Sequence, residues 1–148
     1  VEHFAMLTKM LEFNGIVNVT PIQKAIYIET GKFPLFHNKN KTMYSLHGAV
    51  NDKSSPNEVV DTITLDALFE QEKIEHCNLL KMDIEGTEIE VFSSPGFRAI
   101  AEKIDVIVTE RHGWSGRHPN QLNEALKNKG FITEVALSSP DVVVAKRK

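Results

Sequence analysis

The chain has 148 residues, 41% of them hydrophobic and 25% charged, with a formal net charge of −3, which fits one compact globular domain and excludes a broad basic surface for nucleic acid. Its single cysteine, Cys77, excludes an internal disulfide framework or a multi-cysteine zinc site and suits a reducing, cytoplasmic compartment. No apolar run approaches the roughly 20 residues that span a bilayer, and no secretory signal is recognisable.

From the start, Phe4, Leu7, Met10 and Leu11 recur at helical spacing, and Gly15 is a natural stop. "IVNVTPIQKAI" then reads as a strand with Val17, Val19, Ile22 and Ile26 as markers, its paired part shortened or shifted by Pro21. "KFPLFHN" reads as a short edge strand after a turn at Gly31. Residues 38–58 are polar and turn-rich, a long surface loop carrying Tyr44 and His47. "VVDTITLDAL" alternates into a strand and "LDALFEQEK" follows as a helix. "CNLLKMD" is a short buried strand, with Cys77 a small core residue at its start. "TEIEVF" opens a helix that "FRAIAEK" continues after a break at Ser93–Gly96. "IDVIVTE" is a second apolar strand, and "RHGWSGRH" a loop with Trp114 between two glycines. "PNQLNEALKNKG" is a helix with Pro119 in its first turn and Gly130 past its end. "FITEVAL" and "DVVVAKR" close the chain as a strand pair joined by "SSP", and Lys146, Arg147 and Lys148 form a basic end. Strands alternating with helices predict a single α/β domain over residues 1–148, its sheet mostly parallel with a C-terminal antiparallel hairpin.

In open α/β sheets ligands bind beyond the carboxyl ends of the strands. Asp83 and Glu110 both stand at such ends, and on neighbouring strands their carboxylates would meet in one crevice. Gly86 permits a tight turn or a close backbone approach. Part of the acidity has a structural reading: Thr87-Glu88-Ile89-Glu90 matches a capping box with Thr87 as N-cap and Glu90 three residues on, and Glu88 suits a helix start. Asp83 and Glu85 are harder to explain this way, because acids at a buried strand end cost desolvation unless paired. Lys81, on the same strand face, is a partner for Asp83. His112 has the side chain best suited to proton transfer near neutrality.

"LLKMDIEGTEIEVF", read as L-K-x-D-x-E-G-x-E, resembles the signature of the FkbM family of S-adenosylmethionine-dependent methyltransferases. The likeness extends to "EHFAMLTKMLEFNGIVNVTPIQKAI" with Asn14-Gly15 and Ala25, to the threonine-leucine-aspartate segment in "VDTITLDALFEQEKIEHCNLLKMD", and to "VIVTERH". It implies a Rossmann-like class I methyltransferase sheet. By the same resemblance, Lys24 and Ala25 lie where the adenine stacks, and Asp83, Glu85 and Gly86 lie near the amino-acid end of the cofactor. Asp83, Glu110 and His112 become candidates for activating an acceptor hydroxyl of a small molecule or sugar. The family's glycine-rich strand-to-helix turn and the ribose-binding acid after its second strand have no counterpart before Gly15. The resemblance thus covers what looks like the C-terminal two-thirds of such a domain. Lacking two hydrogen bonds to a charged group would cost roughly 3–6 kcal/mol of cofactor affinity.

Two other readings compete with O-methyl transfer. Asp83, Glu85, Glu110 and His112 are a plausible oxygen-rich divalent-metal set for a hydrolase or nuclease. Alternatively, the domain is a non-catalytic remnant whose exposed sheet edge is covered in a homo-oligomer. No nucleic acid and no membrane is expected as a partner.

Overall fold

A computed structural model describes residues 2–37, 44–46, 58–112, 119–136 and 139–148. His47, Trp114 with its flanking Gly113 and Gly116, and most of the predicted 38–58 loop lie outside the described residues.

Helix α1 (Glu2–Phe13) ends where expected. Gly15 takes φ +63°, and the Gly15 and Ile16 amides donate to the Glu12 and Leu11 carbonyls, closing the helix in a left-handed cap that a side chain would strain. The strand predicted after it is mostly absent. Only β1 (Ala25–Ile26) pairs, while Val17 is 95% exposed; the apolar alternation of residues 16–22 belongs to an extended segment without a strand partner among the described residues. β2 (Gly31–His37) is not an edge: it runs antiparallel to both β3 (Tyr44–Ser45) and β4 (Glu58–Ile63). β1 lies parallel to β4, giving the order β1-β4-β2-β3.

Helix α2 (Leu65–Gln71) begins at Thr64, whose hydroxyl accepts from the Ala67 amide. β5 (Cys77–Met82) follows, then α3 (Glu88–Ser93) and α4 (Pro95–Ile100), separated by Ser94, which caps α4 by accepting from the Phe97 amide at 3.0 Å. β6 (Ile104–Glu110), α5 (Pro119–Lys127), β7 (Phe131–Val135) and β8 (Val142–Arg147) complete the chain. The second sheet has the order β5-β6-β8-β7. β5 and β6 are parallel, and β8 is antiparallel to both β6 and β7.

The predicted mostly parallel sheet is therefore corrected. The described residues form two mixed sheets in which antiparallel pairings predominate, and parallel pairing is confined to β1–β4 and β5–β6. The β5–β6 pair is parallel because α3 and α4 carry the chain back between the two strands, whereas β1 reaches its parallel partner β4 by way of β2 and β3. The closing antiparallel pair is found as predicted. Arg147 is no solvated end: its guanidinium lies 4.7 Å from the Phe131 ring centroid, and its Nε donates to the Ile104 carbonyl.

The core packs α3, α4 and α5 on the second sheet, with Phe92, Phe97, Ile104, Ile107, Leu126 and Phe131 fully buried. Phe92 meets Phe97 edge-on at 4.9 Å between centroids, a favoured aromatic geometry. Among the described residues no helix is long and apolar enough to cross a membrane.

Candidate functional site

The parallel pairing of β5 with β6 sets Met82 beside Thr109, so the chain leaves both strands at the same end of the sheet. Asp83 follows one strand and Glu110 ends the other. One ligand atom each from Asp83, Glu110 and His112 lies within 4.8 Å of the others. The expected meeting of Asp83 and Glu110 on neighbouring strands is thus what the backbone produces, and His112 joins them.

Beyond Asp83 the chain reverses through two left-handed residues, Glu85 at φ +55° and Gly86 at φ +104°. Gly86 takes this conformation without steric cost, whereas Glu85 holds it against roughly 1–2 kcal/mol. Glu88, at the first turn of α3, returns its carboxylate onto this reversal. The Ile84 amide donates to Oε1 at 2.9 Å and the Gly86 amide to Oε2 at 3.0 Å. The Glu88 side chain is only 4% exposed, and the two backbone donors offset the desolvation of its charge. The predicted capping box is not formed in that way: Thr87 occupies the N-cap position but makes no side-chain cap bond. Glu88, which the sequence leaves open between a helix-dipole partner and a site residue, anchors the turn through these two bonds. The signal that could have found it is Glu-Gly-x-Glu, where a left-handed glycine brings the second acid back over the loop.

Lys81 pairs with Asp83 Oδ2 at 2.8 Å, as the strand spacing predicts. The Asp83 Oδ1 atom lies 3.5 Å from His112 Nε2, and Glu85 Oε2 lies 3.3 Å from the same nitrogen. On the other side of the ring, Nδ1 is 3.1 Å from Glu88 Oε1. His112 is positioned by continuation of the β6–β8 ladder, because the Arg111 amide donates to the Asp141 carbonyl at 2.7 Å. The Glu85 carboxyl is pushed above its ordinary value, first by burial and then by the charges of Asp83, Glu88 and Glu110, with His112 opposing. The buried Ser45 on β3 donates to the Glu85 carbonyl at 2.8 Å and so ties the first sheet to this turn.

Lys24 and Ala25 are placed differently from expectation. They stand at the start of β1, not its end, and belong to the other sheet. An open cavity of about 510 Å³ lies beside them, lined by Phe4, Leu7, Ile22, Val60 and Asp61 among others, but none of Asp83, Glu85, Glu110 or His112 lines it. Lys24 Nζ donates to Gln71 Oε1 of α2 at 2.9 Å. Cys77 is half-buried against the core, and burial pushes its thiol up, away from reactivity.

For a bound S-adenosylmethionine the fit is partial. The cavity at Lys24 and Ala25 has the size and mixed lining that an adenine ring needs, and the carboxylates at the β5 and β6 ends complement a cationic ligand.

A family model, the methyltransferase FkbM domain, matches residues 14–133, a span that contains Lys24, Ala25, Asp83, Glu85, Gly86, Glu110 and His112. No curated protein and no solved structure matches the chain significantly.

Proposed function

The chain belongs to the FkbM methyltransferase family, and from that premise we propose that it serves O-methyl transfer from S-adenosylmethionine to a hydroxyl of a small molecule or sugar. The observation that carries this reading is the meeting of Asp83, Glu110 and His112 at the carboxyl ends of two adjacent parallel strands. S-adenosylmethionine would supply the electrophilic methyl group. The chain's own task is then to hold the acceptor oxygen and take its proton. His112 Nε2 is the base in this reading: its side chain is 9% exposed, and Asp83 and Glu85 stand within 3.5 Å to stabilise the imidazolium that proton uptake creates. Lys81 holds Asp83 by its outer oxygen and leaves Oδ1 turned to the ring. Lys24 and Ala25 would flank the adenine, and Asp83, Glu85 and Gly86 would lie toward the amino-acid end.

The test is methyl transfer to a panel of hydroxylated acceptors by the full gene product. His112→Gln should lower turnover by on the order of 10²–10⁴ while leaving donor binding in place. Unchanged turnover in that variant would remove His112 from the reaction.

The three ligand atoms within 4.8 Å also favour a second reading, a divalent-metal site at Asp83, Glu110 and His112 with Glu85 beside them. Manganese would then raise the melting temperature and a chelator would reverse the gain; a melting curve indifferent to both eliminates it. Among the described residues β1 and β5 each have a strand neighbour on one side only, which gives a homo-oligomer a place to form. Sedimentation at monomer mass across a range of concentrations would rule that out.

A further inference from the structure

We infer that Glu88 is a positioning residue for the proton transfer: its buried carboxylate holds the His112 proton on Nδ1 and thereby presents Nε2 as the acceptor. The inference rests on His112 being the base proposed above. Two carboxylates face Nε2 and one faces Nδ1, so proximity alone does not choose the tautomer. Their surroundings do. Asp83 is already neutralised by Lys81 at 2.8 Å, and its side chain is 33% exposed. Glu85 turns a buried oxygen, Oε2, to the ring at 3.3 Å, but burial raises its carboxyl toward the neutral form, which pulls less on a proton. Glu88 is 4% exposed. It is fixed at both oxygens by backbone amides that cannot move without undoing the Glu85–Gly86 reversal. A rigid, desolvated carboxylate acts more strongly on a proton than a screened or paired one, even across the 3.1 Å ion-pair contact seen here, which is not an in-line hydrogen bond. Glu110, the remaining acid of the cluster, ends β6 with one carboxylate oxygen within 4.8 Å of a His112 ring nitrogen. One carboxylate therefore does two jobs, shaping the turn that carries Asp83 and Glu85 and selecting the ring nitrogen that faces them.

Nitrogen-15 NMR of the His112 ring reads the tautomer directly, without donor or acceptor. In the wild-type chain, neutral His112 should carry its proton on Nδ1. Glu88→Gln, which keeps the size but sets an NH2 group against one of the two backbone amides, should shift the population toward Nε2–H, and Glu88→Asp should retain part of the wild-type signature. In the full gene product Glu88→Gln should lower kcat at least ten-fold, on the order expected for a wrong tautomer, with acceptor KM changed less than about two-fold. A wild-type His112 protonated on Nε2 overturns the inference, as does an unchanged tautomer in Glu88→Gln. Should Glu88→Gln fail to fold, the wild-type and Glu88→Asp spectra decide alone. The two claims fail separately: full turnover in His112→Gln sinks the base but leaves the tautomer as measured.

Discussion

Glu88→Ala separates two accounts of the same residue by size. As a helix-dipole partner, an acid in the first turn is worth about 0.3–1 kcal/mol. As the anchor of the turn, it accepts two backbone amides at 2.9 and 3.0 Å from a side chain 4% exposed. Each charge-assisted bond contributes roughly 1.5–3 kcal/mol, and removing the acceptor leaves the donors to find water or remain unpaired. The sum is about 3–6 kcal/mol, reduced where water enters from the side of Asp83. A loss of about 3 kcal/mol is the expected outcome, a large share of the 5–15 kcal/mol that stabilises a typical domain. Urea unfolding followed by far-ultraviolet circular dichroism measures it: with m near 1–3 kcal/mol/M, the midpoint should fall by more than about 1 M. Glu102→Ala, at an exposed position in the 3-10 turn Ala101–Lys103, should stay within about 0.5 kcal/mol as a control. A Glu88→Ala loss below about 1 kcal/mol would refute the anchor and return the residue to the dipole.

Gly96→Ala should make the Asp66 carboxylate rotate away, since its Cγ would lie 2.6 Å from the new Cβ. That carboxylate is the far end of a flexible side chain, and alanine favours the helix, so thermal melts should show a net change within about 1 kcal/mol; a larger loss would mean that Asp66 is held in place. Glu85, held above its ordinary value in the folded state, contributes stability that is fully present below its unfolded pKa of about 4.3 and is lost as pH rises through the folded value. Glu85→Gln should therefore be more stable than wild type at neutral pH and converge with it below about pH 4. Denaturant midpoints across that range check it, and a variant less stable at neutral pH would contradict the stated environment.

The second sheet was legible because its strands are apolar runs with unambiguous ends: Cys77–Met82 stops at Asp83, and Ile104–Glu110 stops at an acid of its own. Given that β5 and β6 are neighbours, the meeting of Asp83 and Glu110 follows from their strand ends, whereas His112 joins them only because the β6–β8 pairing runs on past Glu110. The first sheet was harder. Val17 and Val19 carry a strand-like alternation, yet both are exposed, since alternation reports a half-buried face without saying which partner buries it. β2 was misread as an edge because its second neighbour is a two-residue strand, Tyr44–Ser45, inside a segment whose composition reads as loop. The mistaken capping box has a related cause. Spacing between Thr87 and Glu90 is a local pattern, whereas the role of Glu88 depends on the left-handed reversal at Glu85 and Gly86.

Whether the acids at the β5 and β6 ends belong to a methyl-donor site is decided most directly by calorimetric titration with S-adenosylhomocysteine. It should be run on the protein and on its Asp83→Ala variant. Saturable heat from the wild type, weakened at least ten-fold or so by Asp83→Ala, is the predicted result. No heat from the wild type, or equal affinity in the variant, would contradict it.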